Sequence, residues 1–171
     1  IPAGMDDDAY KNIMELLKGR DIKIVVDATK ELLVKSLPYG PFLIKPNNYE
    51  LGEIFGVRLT TRSSVIPYAK KLQNMGARNV LVSMAGEGAV LVSDDGQVID
   101  APAPEGKLIN GVGAGDSMVA GFMAGWMEKH EYRYAFHMGV ASGSASAFSE
   151  NLATKEEIEK VYNTIVLEEK V

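Results

Sequence analysis

The sequence predicts an α/β sandwich built on a mainly parallel sheet. Three observations carry this expectation. Helix-period and strand-type segments alternate along the chain. The strand-type segments are continuous apolar runs, the pattern of strands covered on both faces. No internal repeat, low-complexity stretch or linker interrupts the 171 residues.

The elements follow in order. "DDDAYKNIMELLKGR" reads as a helix: Tyr10, Ile13, Met14 and Leu17 recur at helical spacing, and the acids at 6–8 suit the positive end of its dipole. "IKIVVDA" is a buried-type strand. "TKELLVKSL" is a short helix, and "FLIKPN" a second strand stopped by Pro46. "NYELGEIFG" is a helix closed by Gly56. A helix is expected from about 64 to Gly76, with Pro67 disturbing its start. "NVLVSMA" is the third strand, and "GAVLVSDDGQVIDAP" a hairpin around Asp95-Gly96. Two long helices are expected near 114–129 and 132–149. A last helix starts at Thr154, where Glu157 completes a capping box.

Composition narrows the function. Hydrophobic residues make up 46% and charged residues 24%, the ordinary globular range. A net charge of −5 leaves no basic stripe for a phosphate backbone, so no nucleic-acid partner is expected. The absence of cysteine excludes a disulfide framework and a thiolate zinc site. It is compatible with a reducing compartment, and a cytoplasmic location is expected. No apolar run approaches the ~18 residues of a membrane span, so no membrane partner is expected. No signal-peptide pattern is visible. The opening "IPAG" lacks a methionine, and the chain is expected to begin inside a larger protein.

The most unusual stretch is "NGVGAGDSMVAG", Asn110 to Gly121. Gly111, Gly113 and Gly115 precede a helical pattern. In it Met118, Phe122 and Trp126 form an apolar line, while Ala120, Gly121, Ala124 and Gly125 leave a thin face for close packing. The glycines therefore lie at a helix start, where backbone N–H groups and the dipole favour an anion, and a phosphate is the natural guest. Asp116, in the first turn, either accepts the proton of an attacking hydroxyl or simply caps its helix. In an open α/β sheet, ligands gather at the carboxyl ends of the strands. The loops there include Asp27 onward, Lys45-Pro46-Asn47, Ser83 to Gly88 and the glycine stretch. Taken singly, Lys45 and Glu50 also read as surface charges, Asn47 as a helix cap and Ser83 as a strand end. His130 and His137 suit surface or packing roles. The methionines at 118, 123 and 127 suit the core. Neither G-x-x-x-x-G-K-[ST] nor G-x-G-x-x-G occurs.

"NGVGAGDSMVAGFMAG" resembles the C-terminal signature of the PfkB carbohydrate kinases, which have the ribokinase-like fold. "KPNNYEL" (45–51) resembles that family's Lys-Pro-Asn-x-x-Glu-Leu segment, and "SMAGEGA" (83–89) its nucleotide loop. "ASGSASAFSENLATKEEIE" (141–159) is similar to the tail of the 1-phosphofructokinase and tagatose-6-phosphate kinase branch. The resemblance implies a ribokinase-like three-layer α/β/α sandwich, here without its N-terminal part and lid. Residues 1–171 would be a single C-terminal portion of one kinase domain.

The resemblance also implies roles. Asp116 would be the general base. Gly113, Ala114 and Gly115 would form the anion hole for the transferring phosphoryl group. Asn47 and Glu50 would hold Mg²⁺ through water. Lys45 would lie near the ATP phosphates. Ser83, Gly86, Glu87 and Gly88 would line the nucleotide, and Ser144 its adenine or ribose. Some members also hold a monovalent cation, and a homodimeric parent is compatible. Two positions depart from the pattern. Ala85 stands where the loop has its first glycine, and Asn110-Gly111 replaces the more usual Asp-Thr. The activity implied is ATP-dependent phosphorylation of fructose 1-phosphate to fructose 1,6-bisphosphate, with this portion alone inactive. The alternatives are tagatose-6-phosphate kinase and a non-catalytic nucleotide-binding module. A hydrolase using Ser117 is disfavoured, because no G-x-S-x-G elbow exists.

Overall fold

The computed structural model describes residues 9–17, 19–28 and 30–169. They form two compact units, one of residues up to Val82 with Val92–Gly96, the other of Ser83–Leu91 and residues from Gln97 onward.

In the first unit, β1 (Val25–Val26), β2 (Leu43–Ile44) and β3 (Asn79–Ser83, its last residue in the second unit) pair in parallel. Val26 stands opposite Ile44, and Ile44 opposite Val80. The strands are shorter than the apolar runs that announced them, and β2 is limited by Pro46, which has no ladder donor. Among the described residues β1 pairs with β2 alone. Helix α1 (Ala9–Leu17) precedes the strands, α2 (Lys30–Ser36) links β1 to β2, and α3 (Asn48–Phe55) and α4 (Arg62–Asn74) link β2 to β3. Such crossovers are what parallel strands require. Leu33, Leu43, Ile44, Leu51, Val65, Leu72, Val80 and Leu81 are wholly buried and form this unit's core. The acids at 6–8 lie outside the described residues.

Local signals explain the helix ends. Gly56 closes α3 with φ 66, a left-handed angle that glycine takes without strain. Helix α4 starts at Arg62, two residues earlier than expected, because Thr61 and Ser64 cap it reciprocally. Pro67 lies inside α4 but on its exposed side, where water can satisfy the carbonyl it frees. The expected turn forms at Ser93–Gly96: Gly96 has φ 90 and its N–H donates to the Ser93 carbonyl at 3.1 Å.

The second unit holds β4 (Ala89–Val92, its last residue in the first unit), β5 (Val98–Ala101), α5 (Ala114–Lys129), α6 (Tyr132–Ala147), α7 (Lys155–Tyr162) and β6 (Glu168–Glu169). β6 runs antiparallel to β5, with Ile99 opposite Glu169, so the strand pairing is mixed. Two glutamates carry no strand signature, and β6 was not foreseen.

Helices α5 and α6 pack through glycines on both sides. A Cβ on Gly121 would collide with the Ser142 hydroxyl and lie 2.6 Å from the Met138 carbonyl oxygen. Gly139 and Gly143 in turn accommodate Phe122 and Met118. The thin face is therefore narrower than expected: Ala120 and Ala124 are exposed, and so is Met127, at 72%. Helix α7 opens on the expected capping box of Thr154 and Glu157. His137 of α6 stacks on Tyr162 with ring centroids 3.6 Å apart, its Nε2 2.8 Å from the Tyr162 carbonyl oxygen. Among the described residues no helix is long and apolar enough to cross a membrane.

Candidate active site

The glycine stretch forms a turn that ends in α5. Gly113 is the N-cap with φ 78, and no side chain caps the helix from that position. Left-handed backbone favours glycine, and a side chain at 113 would also meet Leu152, whose Cδ2 would lie 2.8 Å from an added Cβ. Gly113, Ala114 and Gly115 are half-buried, and Asp116 is exposed in the first turn. The N-cap position that Asp116 was offered as an alternative belongs to Gly113. The Ser117 hydroxyl meets Ser146 at 2.9 Å and no imidazole, so the hydrolase alternative finds no base there. Ser144 is half-buried on α6. Its neighbour Gly143 lies against the start of α5, where an added Cβ would stand 3.0 Å from the Ala114 carbonyl oxygen.

The loop from Ser83 is a 3₁₀ turn over Ala85–Glu87. The Met84 N–H donates to the Gly88 carbonyl at 2.8 Å, and the Gly88 N–H to Ala85 at 3.0 Å. Ala85 has φ 46. The loop thus keeps a left-handed angle without the glycine that would relax it, at a cost of roughly 1–2 kcal/mol. Gly88 has φ 98, and the backbone of Ala101–Ala103 fills the space a side chain would need. Gly86 and Glu87 are exposed and Ser83 half-buried.

In the first unit, Lys45 and Asn47 follow β2 directly. Lys45 is only 8% exposed, and its Nζ lies 3.2 Å from Asp27 Oδ2 at the end of β1. The surface-charge reading of Lys45 is therefore wrong. It is a buried cation held across two neighbouring strand ends, a position that needs a counter-charge. Asn47 and Glu50 form a reciprocal capping box. Asn47 Oδ1 accepts the Glu50 N–H at 2.9 Å, and Glu50 Oε2 accepts the Asn47 N–H at 2.8 Å. The capping reading of Asn47 holds, and it fixes both side chains in one geometry. Among the described residues no three His, Asp or Glu side chains cluster to hold a metal directly. One carboxylate and one amide oxygen, each partly engaged, fit a hydrated hard cation better than a closed cage of protein ligands.

The residues expected to act together fall in three local groups: Lys45, Asn47 and Glu50 in the first unit, and the Ser83–Gly88 loop and the Gly113–Asp116 turn in the second. Sequence reasoning placed Asp27 on the ligand rim but missed its pairing with Lys45, and it missed Ser146. Asp27 carries no motif of its own, and Ser146 is one small residue among many in α6.

The model of the pfkB family carbohydrate kinases matches residues 1–159. A 1-phosphofructokinase of Bacillus subtilis is 47% identical over 94% of this chain and 53% of its own length. A D-tagatose-1-phosphate kinase of Bacillus licheniformis is 31% identical over 96% of this chain and 54% of its own. The chain thus spans about half the length of these curated relatives. A Staphylococcus aureus structure, described as a candidate phosphofructokinase, superimposes with a TM-score of 0.93 at 40% identity, covering 99% of this chain and 55% of that one. The alternation of elements, the glycine turn and these matches agree on the ribokinase-like fold. The chain belongs to the pfkB family of carbohydrate kinases.

Proposed function

We propose that these residues are one portion of a single kinase domain that transfers the γ-phosphoryl group of ATP to fructose 1-phosphate, giving fructose 1,6-bisphosphate. The observation that carries this reading is the start of α5, which no Gly113 side chain caps and where the exposed Asp116 stands in the first turn. Asp116 takes the proton of the sugar 6-hydroxyl as its oxygen bonds to the γ-phosphorus. The bond between that phosphorus and the β–γ bridging oxygen breaks, and ADP leaves. The N–H groups of the Gly113–Gly115 turn stabilise charge on the moving group, that of Ala114 by leaving its 3.3 Å bond to the Gly111 carbonyl or sharing it. Asn47 and Glu50 would hold Mg²⁺ through water, and the ion would neutralise phosphate charge when bound. Lys45 adds a fixed positive charge to the phosphates. Ser83, Gly86, Glu87, Gly88 and Ser144 contact the nucleotide. A cytoplasmic location accords with this substrate pair.

The sugar is supported by the name of the Bacillus subtilis relative. The Bacillus licheniformis relative's name gives a second reading, a 1-phosphorylated tagatose, and replaces tagatose 6-phosphate as the nearest rival. The test is Mg²⁺-dependent ADP release by the full-length protein with fructose 1-phosphate, tagatose 1-phosphate and tagatose 6-phosphate, beside Asp116→Asn. Turnover with fructose 1-phosphate that falls at least ~10²-fold in the variant is the expected result. An Asp116→Asn protein as active as the parent would remove the base. Nucleotide binding without turnover on any sugar would leave a binding module.

A further inference from the structure

We propose that Ser146 and Asn110 are positioning residues that set the place of the glycine turn, a proposal that rests on the kinase reading above. The turn Gly111–Gly115 has almost no side chains with which to fix itself, and α5 begins on an uncapped glycine. Its position must come from elsewhere in the second unit. The contacts come from α6 and the segment that follows it.

The carbonyl of Ala147, at the end of α6, accepts the N–H groups of Ile109 at 2.9 Å and Asn110 at 3.2 Å. The Asn110 side chain then works in both directions. Its Oδ1 accepts the Val112 N–H at 3.0 Å, inside the turn, and its Nδ2 donates to the Glu150 carbonyl at 3.1 Å. An aspartate at 110 would keep the first bond and lose the second, because a carboxylate has no N–H to give. The Asn110 amide thus ties the turn to residue 150, in addition to the backbone bonds to Ala147.

Ser146 makes a third. It is 3% exposed. Its Oγ accepts the Ala153 N–H at 3.1 Å and lies 2.9 Å from Ser117 Oγ. The Ala153 N–H can only donate, so the single proton of Ser146 is left for Ser117. Ser117 directly follows Asp116, and its own N–H donates to the Gly113 carbonyl at 2.8 Å. A part-buried chain of hydrogen bonds therefore runs from residue 153 to the first turn of α5. Leu152, between the two tied carriers Glu150 and Ala153, rests on Gly113. Hydrogen-bond donors aimed at a transferring group lose their value when displaced by a fraction of an ångström to an ångström. Ser146 and Asn110 touch neither substrate; they hold the turn that does.

The experiment uses the full-length protein with Ser117→Ala, Ser146→Ala, the double variant and Asn110→Ala. It measures kcat and KM for ADP release, the thermal midpoint, and amide hydrogen exchange across 109–117 with α6 as internal control. The expected result is a kcat about tenfold lower in each single variant with KM held. Exchange should be faster at 109–117 but not in α6, and the serine double variant no worse than either single. Unchanged exchange at 109–117 would overturn the proposal, as would serine effects that add independently. A loss of activity that merely follows a lowered thermal midpoint would do the same. Exchange reads the ties whether or not any sugar is turned over, so failure of the kinase reading is seen separately.

Discussion

Helices α3 and α5 begin in opposite ways. The start of α3 is closed by its own residues: Asn47 and Glu50 satisfy each other's backbone N–H groups. The start of α5 is left open on a left-handed glycine with no side-chain cap. A helix N-terminus carries orphan N–H groups that need partners. In α3 the partners are built in, which rigidifies two oxygen-bearing side chains. In α5 no side-chain partner is supplied at the cap, and a ligand anion can take the role. The difference separates a helix start that presents side chains from one that presents backbone.

Three substitutions test that contrast. The largest stability effect is expected at Gly121→Ala, because the open start of α5 depends on close packing against α6. The added methyl meets the Ser142 hydroxyl and the Met138 carbonyl, and overpacking of this kind costs about 1–3 kcal/mol. Denaturant unfolding measures it, and a cost below a few tenths would mean that α5 is not seated on α6 as described. Next comes Asn47→Ala. Loss of the α3 cap should cost about 0.5–2 kcal/mol, typically about 1, read from the same unfolding curves. An unchanged midpoint would show that α3 does not use its box.

The smallest effect is one of pH. Burial lowers the pKa of His137; the hydrogen bond to the Tyr162 carbonyl opposes this in part, and Arg133 adds to the lowering. The unfolded chain therefore takes up the proton first. This contribution to stability is full above the ordinary histidine value of about 6.5 and is lost as pH falls through the lower folded value. Glu157, also lowered, acts only in the carboxylate range, through its bonds to Thr154. Unfolding midpoints should fall between pH 7.5 and 5.5, and His137→Gln should flatten the fall. An identical decline in that variant would assign it to other groups.

Much of the fold was legible in the sequence wherever a signal is local. The apolar period and the glycines placed α5 and α6 within about two residues of their ends, and Thr154 with Glu157 marked the start of α7. The glycine turn and the cap at Asn47 were readable for the same reason, while the return bond from Glu50 was not foreseen. What was not readable depends on partners distant in sequence. Lys45 looks like any surface lysine until β1 brings Asp27 to it. Ser146 is anonymous until α6 lies beside α5. Ala120 and Ala124 share composition with Gly121 and Gly125, and only packing shows which pair faces α6. β6 depends on β5 for its existence, not on its own residues.

The capping boxes also bear on when the parts of the chain form. Helices α3, α4 and α7 each carry a reciprocal box within four consecutive residues. Their first turns are specified locally and can nucleate before any distant contact exists, although short isolated helices do not persist alone. Helices α5 and α6 have no side-chain cap at their starts. Each relies on the other's surface, through glycines 121, 125, 139 and 143. In folding time, the turn that presents backbone N–H groups is expected to be set late, after the two helices have found each other. The glycine turn before Asp116 is then expected to order last in the second unit and to loosen first when α5 and α6 separate.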